Sequence, residues 1–151
     1  MNYTIKQIED AIILALAPVA TSQGGVVKTL GSYEGQFEET VDAVNQLISI
    51  CPAVLVTYLG SAFTPAGAPL FDRVLRFALL HASSNLRSET KRRQDGYAML
   101  DTTKALLNNK TLGLDVTPLL IERESIIATS RKLTIFSAEY KTSFLEDAGA
   151  Y

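Results

Sequence analysis

The residues best suited to catalysis in this 151-residue chain are few and do not form a recognisable set. His81 is the only histidine and Cys51 is the only cysteine. An active site needs a nucleophile with a base, a paired acid and base, a set of metal ligands, or a cofactor cradle. One cysteine and one histidine exclude an internal disulfide and the usual structural zinc sites. A lone histidine in a strand is more typical of packing or of the surface than of catalysis.

Two further patterns resemble a catalytic carboxylate pair and a phosphate-binding loop. Glu122 and Glu124 are two apart in a predicted strand, so both are expected to point to one face, which is typical of a solvated sheet face. Gly24 and Gly25 precede a predicted strand rather than opening a helix, so they lack the context of a phosphate-binding loop. We therefore expect a protein that is not an enzyme and that binds no cofactor and no metal.

The basic cluster formed by Lys91, Arg92 and Arg93 lies in a polar segment, 84–95, which also contains Arg87. Such a cluster can contact DNA phosphates or an acidic protein partner. It can equally be a solvated loop, because two nearby acidic residues partly cancel its field. The formal net charge of the chain is −2, which argues against a dedicated nucleic-acid-binding protein.

Phe63 is a large aromatic residue in the segment 60–69, which is predicted to be a loop because it holds two glycines and two prolines. An exposed aromatic residue in such a loop can anchor in a partner's pocket. It can also fold back onto its own sheet. The segment 145–151 has no core pattern and is predicted to be a tail. The candidate interface residues are therefore Phe63, Arg87, Lys91, Arg92, Arg93 and Tyr151.

The elements that must position these residues follow the order helix, strand, helix, strand, strand, helix, strand, strand. Thr4 with Gln7 is a capping-box pattern, and apolar residues recur at helical spacing from Ile5 until Pro18. The strand 53–59 is almost continuously apolar, which is typical of a central strand covered on both faces. The other predicted helices cover about 37–48 and 95–109, and the other predicted strands cover 26–30, 70–83, 118–127 and 133–144.

This order predicts one α+β domain spanning residues 1–151. Short turns between consecutive strands favour an antiparallel or mixed sheet of four to five strands, with about three helices on one face. The contents of 47% hydrophobic and 20% charged residues are those of a globular protein. The first residues lack signal-peptide features, and the longest apolar run, 11–17, is too short to cross a bilayer. We therefore expect cytoplasmic synthesis and no membrane association.

Four parts of the sequence carry a family resemblance. They are the runs 8–12, 51–60 and 133–144, and the group 96–97, 106–107 and 112–114. Together they follow the order seen in small Mu-like phage morphogenesis proteins, which the chain resembles over most of its length. The most specific part is Pro52-Ala53-Val54-Leu55-Val56-Thr57-Tyr58.

That family is similar to tail terminators, and the resemblance implies their function. The chain is then expected in the virion, as a homo-oligomer, with a hexameric ring on the head-proximal end of the tail tube. Such a ring stops polymerisation of tube and sheath, presents a docking surface to the head completion protein, and lets DNA pass without specific binding. Two alternatives are a head completion or connector protein of the phage neck and a small DNA-associated regulatory protein acting through Lys91, Arg92 and Arg93.

Overall fold

The computed structural model describes residues 2–35 and 41–151. In this part of the chain a mixed sheet of five strands is combined with three α-helices. The helices are α1 (Ile5–Ala15), α2 (Val41–Ile50) and α3 (Glu89–Leu107). The strands are β1 (Thr29–Ser32), β2 (Ala53–Pro65), β3 (Leu70–Ser84), β4 (Leu120–Thr129) and β5 (Leu133–Asp147). The α+β class and the size of the sheet are as the sequence predicts.

The sheet has the strand order β1-β2-β3-β5-β4. β1 pairs parallel to β2, and every other pairing is antiparallel. β1 covers only the first part of β2, from Ala53 to Val56, so the remainder of β2 has no partner strand on that side among the described residues. Beyond the ends of β1 and β4, β2, β3 and β5 continue to pair and form a three-stranded extension of the sheet.

The first helix begins as its sequence predicts. Thr4 caps it: its side chain accepts from the Gln7 amide, and the Gln7 side chain accepts from the Thr4 amide. Ile8 and Ile12, four residues apart, are fully buried against the sheet. The helix ends at Ala15, and Pro18 lies in the short 3-10 turn that follows.

The core lies on both faces of the sheet, which corrects the expectation of helices on one face. α1 and α3 cover a cluster that includes Val54, Leu79 and Phe136. Leu47 of α2 packs in a second cluster with Leu55, on the opposite face. Because neighbouring residues of one strand point to opposite faces, the buried run Ala53–Val56 serves both clusters. The predicted start of the second helix at 37 lies outside the described residues.

Three predicted boundaries are wrong. The segment 60–69 is not a loop, because β2 continues to Pro65 and pairs with β3, leaving only the turn 66–69. The segment 84–95 is not a loop throughout, because α3 begins at Glu89, where Ser88 caps it by accepting from the Lys91 amide. The segment 145–151 is not a free tail, because β5 runs to Asp147. In the first and third cases, pairing with a neighbouring strand overrides a weak local pattern.

Candidate interface at the two ends of the sheet

A row of side chains crosses the free end of the three-stranded extension. The strand register places Phe63 of β2 opposite Arg73 of β3, and Arg73 opposite Phe144 of β5. Glu146 lies two residues further along β5 on the same face, and Tyr151 folds back beside it. We call these five residues, Phe63, Arg73, Phe144, Glu146 and Tyr151, the hairpin patch.

Arg73 is the centre of the hairpin patch. Its Nη1 donates to Glu146 Oε1 at 2.9 Å, in an ion pair whose side chains are only 12% and 8% exposed. Its Cζ lies 5.1 Å from the centre of the Phe63 ring and 6.0 Å from that of Phe144. Its Nε donates to Ser61 Oγ at 3.2 Å. One guanidinium thus orders aromatic groups from two strands, through cation–π contacts worth about 0.5–1 kcal/mol each at exposed sites.

The segment after β5 is held against this patch. The Tyr151 hydroxyl donates to Glu146 Oε2 at 2.6 Å, and this hydrogen bond raises the pKa of Tyr151. Asn2 clamps Asp147 from the other side, since its amide donates to the Asp147 carbonyl and accepts from the Asp147 amide. Residues near both ends of the described chain therefore meet at one end of the sheet.

Phe63 occupies a strand and not a loop tip. Its ring packs on Arg73, yet the residue is 51% exposed. The sequence left open whether the ring is exposed to a partner or folds back onto its own sheet. In the structure one side of the ring lies on the sheet and the other side faces solvent. Leu59 on the same strand and Leu145 on β5 are 48% and 53% exposed, and Leu145 points to the opposite face of the sheet because it follows Phe144 directly.

The basic residues lie at the opposite end of the sheet. Arg87 is exposed in the turn before α3, and its backbone amide donates to Asn85 Oδ1 at 3.0 Å. Lys91 is paired with Asp95 at 2.8 Å, and Arg93 with Glu89 at 3.4 Å, both across one helical turn. Such exposed i,i+4 pairs contribute only about 0.3–0.5 kcal/mol and leave the cations accessible to a partner. We call the three accessible residues, Arg87, Lys91 and Arg93, the basic end.

Arg92 differs from its neighbours, because it is 2% exposed and cannot serve as a surface contact. Its Nε donates to Thr134 Oγ1 at 2.9 Å, and its Nη2 donates to the Ser130 carbonyl at 2.6 Å. Its Nη1 donates to the carbonyls of Arg131 and Asn85. The side chain thus joins the start of α3 to the turn between β4 and β5, and its interface assignment from the sequence is corrected to a structural one.

The hairpin patch and the basic end are far apart. Ser83, whose hydroxyl donates to the Arg92 carbonyl at 2.8 Å, is on the same strand as Arg73. Ten residues of extended strand separate the two, which corresponds to about 33 Å. The structure thus brings Phe63 and Tyr151 together at one end and the basic residues together at the other. The chain presents two chemically different surfaces.

His81 and Cys51, the residues with most catalytic potential in the sequence, belong to the packing. His81 is fully buried, and its Nε2 lies 2.7 Å from Thr103 Oγ1. Burial raises the pKa of the half-buried Cys51 thiol to about 11, so the thiol is protonated at neutral pH. Among the described residues no group of three His, Cys, Asp or Glu side chains could hold a metal ion.

Burial of His81 predicts a pH-dependent stability. Burial lowers its pKa from 6.5 to about 4. Between these values the unfolded chain binds a proton that the folded chain does not, so stability is complete above pH 6.5 and falls as the pH drops. We expect the free energy of unfolding to fall by about 2 kcal/mol between pH 7 and pH 5.

Urea titrations at both pH values measure this effect, with His81→Gln as the matched control. The glutamine variant should lose less stability than the wild type over the same interval, because it has no imidazole to protonate. Equal losses in the two proteins would show that His81 is not the source of the pH dependence.

Glu122 and Glu124 do not share a face, contrary to the sequence-based prediction. The register of β4 against β5 shifts between Ile121 and Arg123. Glu122 consequently pairs with Arg76 at 3.0 Å on the face away from α3. Glu124 pairs with Lys104 of α3 at 3.2 Å. A β-bulge interrupts the two-residue alternation, and the carboxylates form separate surface ion pairs.

Arg73 and Glu146 are not among the interface residues predicted from the sequence. A signal was available for Arg73, because alternation in β3 places it on the same side as the core residues Leu75 and Phe77. A cation on the apolar side of a strand requires a partner. The partner itself was not predictable, because Glu146 lay in the segment expected to be a tail.

Comparison with known proteins identifies the family of this chain. A family model described as "Bacteriophage Mu, Gp37" matches residues 4–145. The chain belongs to the bacteriophage Mu Gp37 family. Comparison with curated proteins found no match. The matched region of this Gp37-family chain includes every strand except the last two residues of β5, so it covers the basic end and most of the hairpin patch.

Family membership supports a Mu-like phage protein with a structural or morphogenetic role in the virion. Within the described residues of the Gp37-family chain, the helices are too short or too polar to cross a bilayer.

Proposed function

We propose that the chain is a tail terminator. In this proposal it forms a ring on the head-proximal end of the tail tube, stops polymerisation of tube and sheath, and provides the docking surface for the head. The observation that carries the proposal is the presence of two different surfaces at opposite ends of one rigid sheet, in a chain of the Mu Gp37 family. A protein that joins tail to head needs one surface for each.

The geometry favours a ring whose strands run from one face of the ring to the other. The hairpin patch then lies on one face and the basic end on the other, about 33 Å away. The patch offers a half-exposed phenylalanine whose ring is held in place by the largely buried Arg73, and an aromatic residue fixed in this way can fill a partner's pocket. The basic end offers Arg87, Lys91 and Arg93 to an acidic partner surface.

The charge of the chain suits a lumen through which DNA passes. The formal net charge is −2, and Lys91 and Arg93 are paired with acidic residues of their own helix. Because affinity for DNA depends on an excess of cations over acidic groups, a chain with this net charge binds DNA weakly, while the individual cations of the basic end stay accessible to an acidic protein surface. The same observations weigh against a DNA-associated regulatory protein. Salt-sensitive retention of the purified protein on DNA would support that alternative instead.

The assignment can be tested by finding the chain in separated assembly intermediates. A phage strain blocked in head-to-tail joining accumulates free tails and filled heads, which sedimentation separates. We expect an epitope-tagged chain in the free tails, at their head-proximal end by immunogold labelling. A chain found on the heads and absent from the tails would contradict the proposal and indicate a head completion or connector protein.

The hairpin patch gives a prediction at a single residue. Phe63→Ser removes the exposed ring and its contact with Arg73, and the half-exposed position leaves the rest of the core in place. We expect a folded monomer that incorporates into tails at least ten-fold less well than the wild type, as measured by quantitative immunoblots of purified tails. Leu14→Ser, at a residue 76% exposed on α1, is the matched control and should incorporate normally. Normal incorporation of the Phe63 variant would remove the anchor role.

A further inference from the structure

Two strand edges of the sheet are left unpaired in the described part of the chain. On one side, β2 is covered by β1 only as far as Val56, so residues 57–65 have a free edge. On the other side, β4 is the last strand. The Ile121 amide donates to Asn108 Oδ1, and from Glu122 to Thr129 the outer edge makes no backbone hydrogen bond to another described segment. The two free stretches have similar lengths, nine and eight residues.

Neither edge is protected against pairing by free charges. Residues 57–65 contain no charged side chain. The charges of β4 are all engaged with their own chain: Glu122 with Arg76, Arg123 with Glu139 and Glu124 with Lys104. Natural proteins usually guard an open edge with charges, prolines, β-bulges or a covering segment. A bulge lies between Tyr58 and Gly60 and Pro65 ends the β2 edge, and β4 has two bulges of its own, but the residues between these features keep unpaired backbone groups that can bond to another strand. Both edges also carry half-exposed apolar residues, namely Leu59 and Phe63 on β2 and Ile126 and Ile127 on β4.

The strand directions determine how two copies can join. β2, β3, β5 and β4 alternate strictly in direction, because each neighbouring pair is antiparallel. β4 therefore runs opposite to β2. When copies are related by rotation about an axis roughly along the strands, β4 of one copy meets β2 of the next in the antiparallel sense. Such a heterologous contact repeats around a ring and leaves neither of these two edges free once the ring closes.

We propose that copies of this chain join by β-strand addition, with the 122–129 edge of β4 on one copy pairing with the 57–65 edge of β2 on the next. This inference rests on the proposed ring and names its subunit contact. Within one copy, the pairings of β4 with β5, of β5 with β3 and of β3 with β2 place β4 at the same height in the sheet as the part of β2 from Ala53 to Gly60. Neighbouring copies must then be staggered, which inclines the strands to the ring axis as in closed barrels.

The test uses the purified full chain and one charged residue on each edge. Ile127→Lys places a cation on the β4 edge, and Leu59→Lys does so on the β2 edge, at residues 51% and 48% exposed where the fold tolerates the change. Leu14→Lys is the matched control at an exposed apolar residue on α1. Light scattering after size exclusion and native mass spectrometry measure the assembly, and circular dichroism checks the fold.

We expect the wild type and the Leu14 variant to form one closed oligomer and each edge variant to be monomeric. An equimolar mixture of the two edge variants retains one intact contact per pair, so it should stop at dimers. A contact between two β4 edges would instead leave the Leu59 variant assembling normally, which would overturn the proposal. Rings formed by the Ile127 variant would also overturn it, as would a wild type that stays monomeric at all concentrations.

These outcomes separate the subunit contact from the proposed function. Rings that form despite both edge substitutions would refute the β-strand contact while leaving the tail terminator proposal intact. Conversely, an edge-dependent ring found on isolated heads and absent from tails would support the contact and refute the terminator assignment.

Discussion

Replacing Arg92 with alanine is expected to lower the free energy of unfolding by about 3–4 kcal/mol. The side chain is 2% exposed and donates to four oxygen atoms in three separate segments. Hydrogen bonds that involve a charged group contribute about 1.5–3 kcal/mol each, and oxygens left without a donor in a buried site add a cost. Water can hydrogen-bond to the partly exposed carbonyls of the 130–131 turn once the arginine is removed. This offsets part of the free energy lost with the four hydrogen bonds.

Arg93 provides the matched control, since it is the next residue and has the same side chain. It is paired only with Glu89 at 3.4 Å on the helix surface, so Arg93→Ala should cost less than about 0.5 kcal/mol. Arg92→Lys keeps the charge but loses the planar fork of donors, and it should recover less than half of the lost stability. Chemical unfolding of the three variants measures the difference. Equal losses at Arg92 and Arg93 would contradict the structural role of Arg92.

Replacing Gly96 with leucine is expected to cost about 3 kcal/mol or more. Gly96 lies in the middle of α3, and a Cβ at this position would be 2.2 Å from Cε2 and 2.6 Å from Cδ2 of Phe136. Phe136 is 3% exposed and also packs edge-on against Tyr97, so its ring has little room to move. Overpacking of a tight core typically costs 1–3 kcal/mol, and a leucine exceeds the available space by several carbon atoms.

For Gly96→Ala, the smaller substitution, the sign of the change in stability is itself informative. At an exposed helical position, Gly→Ala stabilises a protein by about 1 kcal/mol. At Gly96 the clash should outweigh this gain, so Gly96→Ala is expected to be destabilised by about 1–2 kcal/mol. Ala98→Leu, at an exposed position of the same helix, is the control and should be nearly neutral. A stabilised Gly96→Ala variant in thermal unfolding would show that α3 does not pack this closely on β5.

The class of the fold was predictable because its main elements carry strong local signals. The capping box at Thr4 and the apolar strand that begins at Ala53 are both confirmed. Amphipathic spacing in α1 and the long half-buried strand β3 are confirmed as well. Such signals depend on residues near one another in the sequence and need no knowledge of the tertiary structure.

The candidate site was less predictable because it depends on contacts between distant residues. Phe63 is partly exposed, and its role as an interface residue stays a prediction; glycines and prolines made its strand resemble a loop in the sequence. Continued pairing with β3 holds those residues extended. The ion pair between Arg73 and Glu146 joins residues 73 positions apart, and no local pattern indicates it. The burial of Arg92 likewise depends on carbonyl groups about 40 residues further along the chain.

The most direct test of the tail terminator proposal is electron microscopy of lysates from a phage in which this gene is deleted. The proposal predicts overlong or irregular tails that never join filled heads, because polymerisation of tube and sheath has no stop and the head has no docking surface. A wild-type copy supplied in trans should restore tails of uniform length. Tails of normal length beside heads that have lost their DNA would contradict the proposal and place the protein on the head side of the neck.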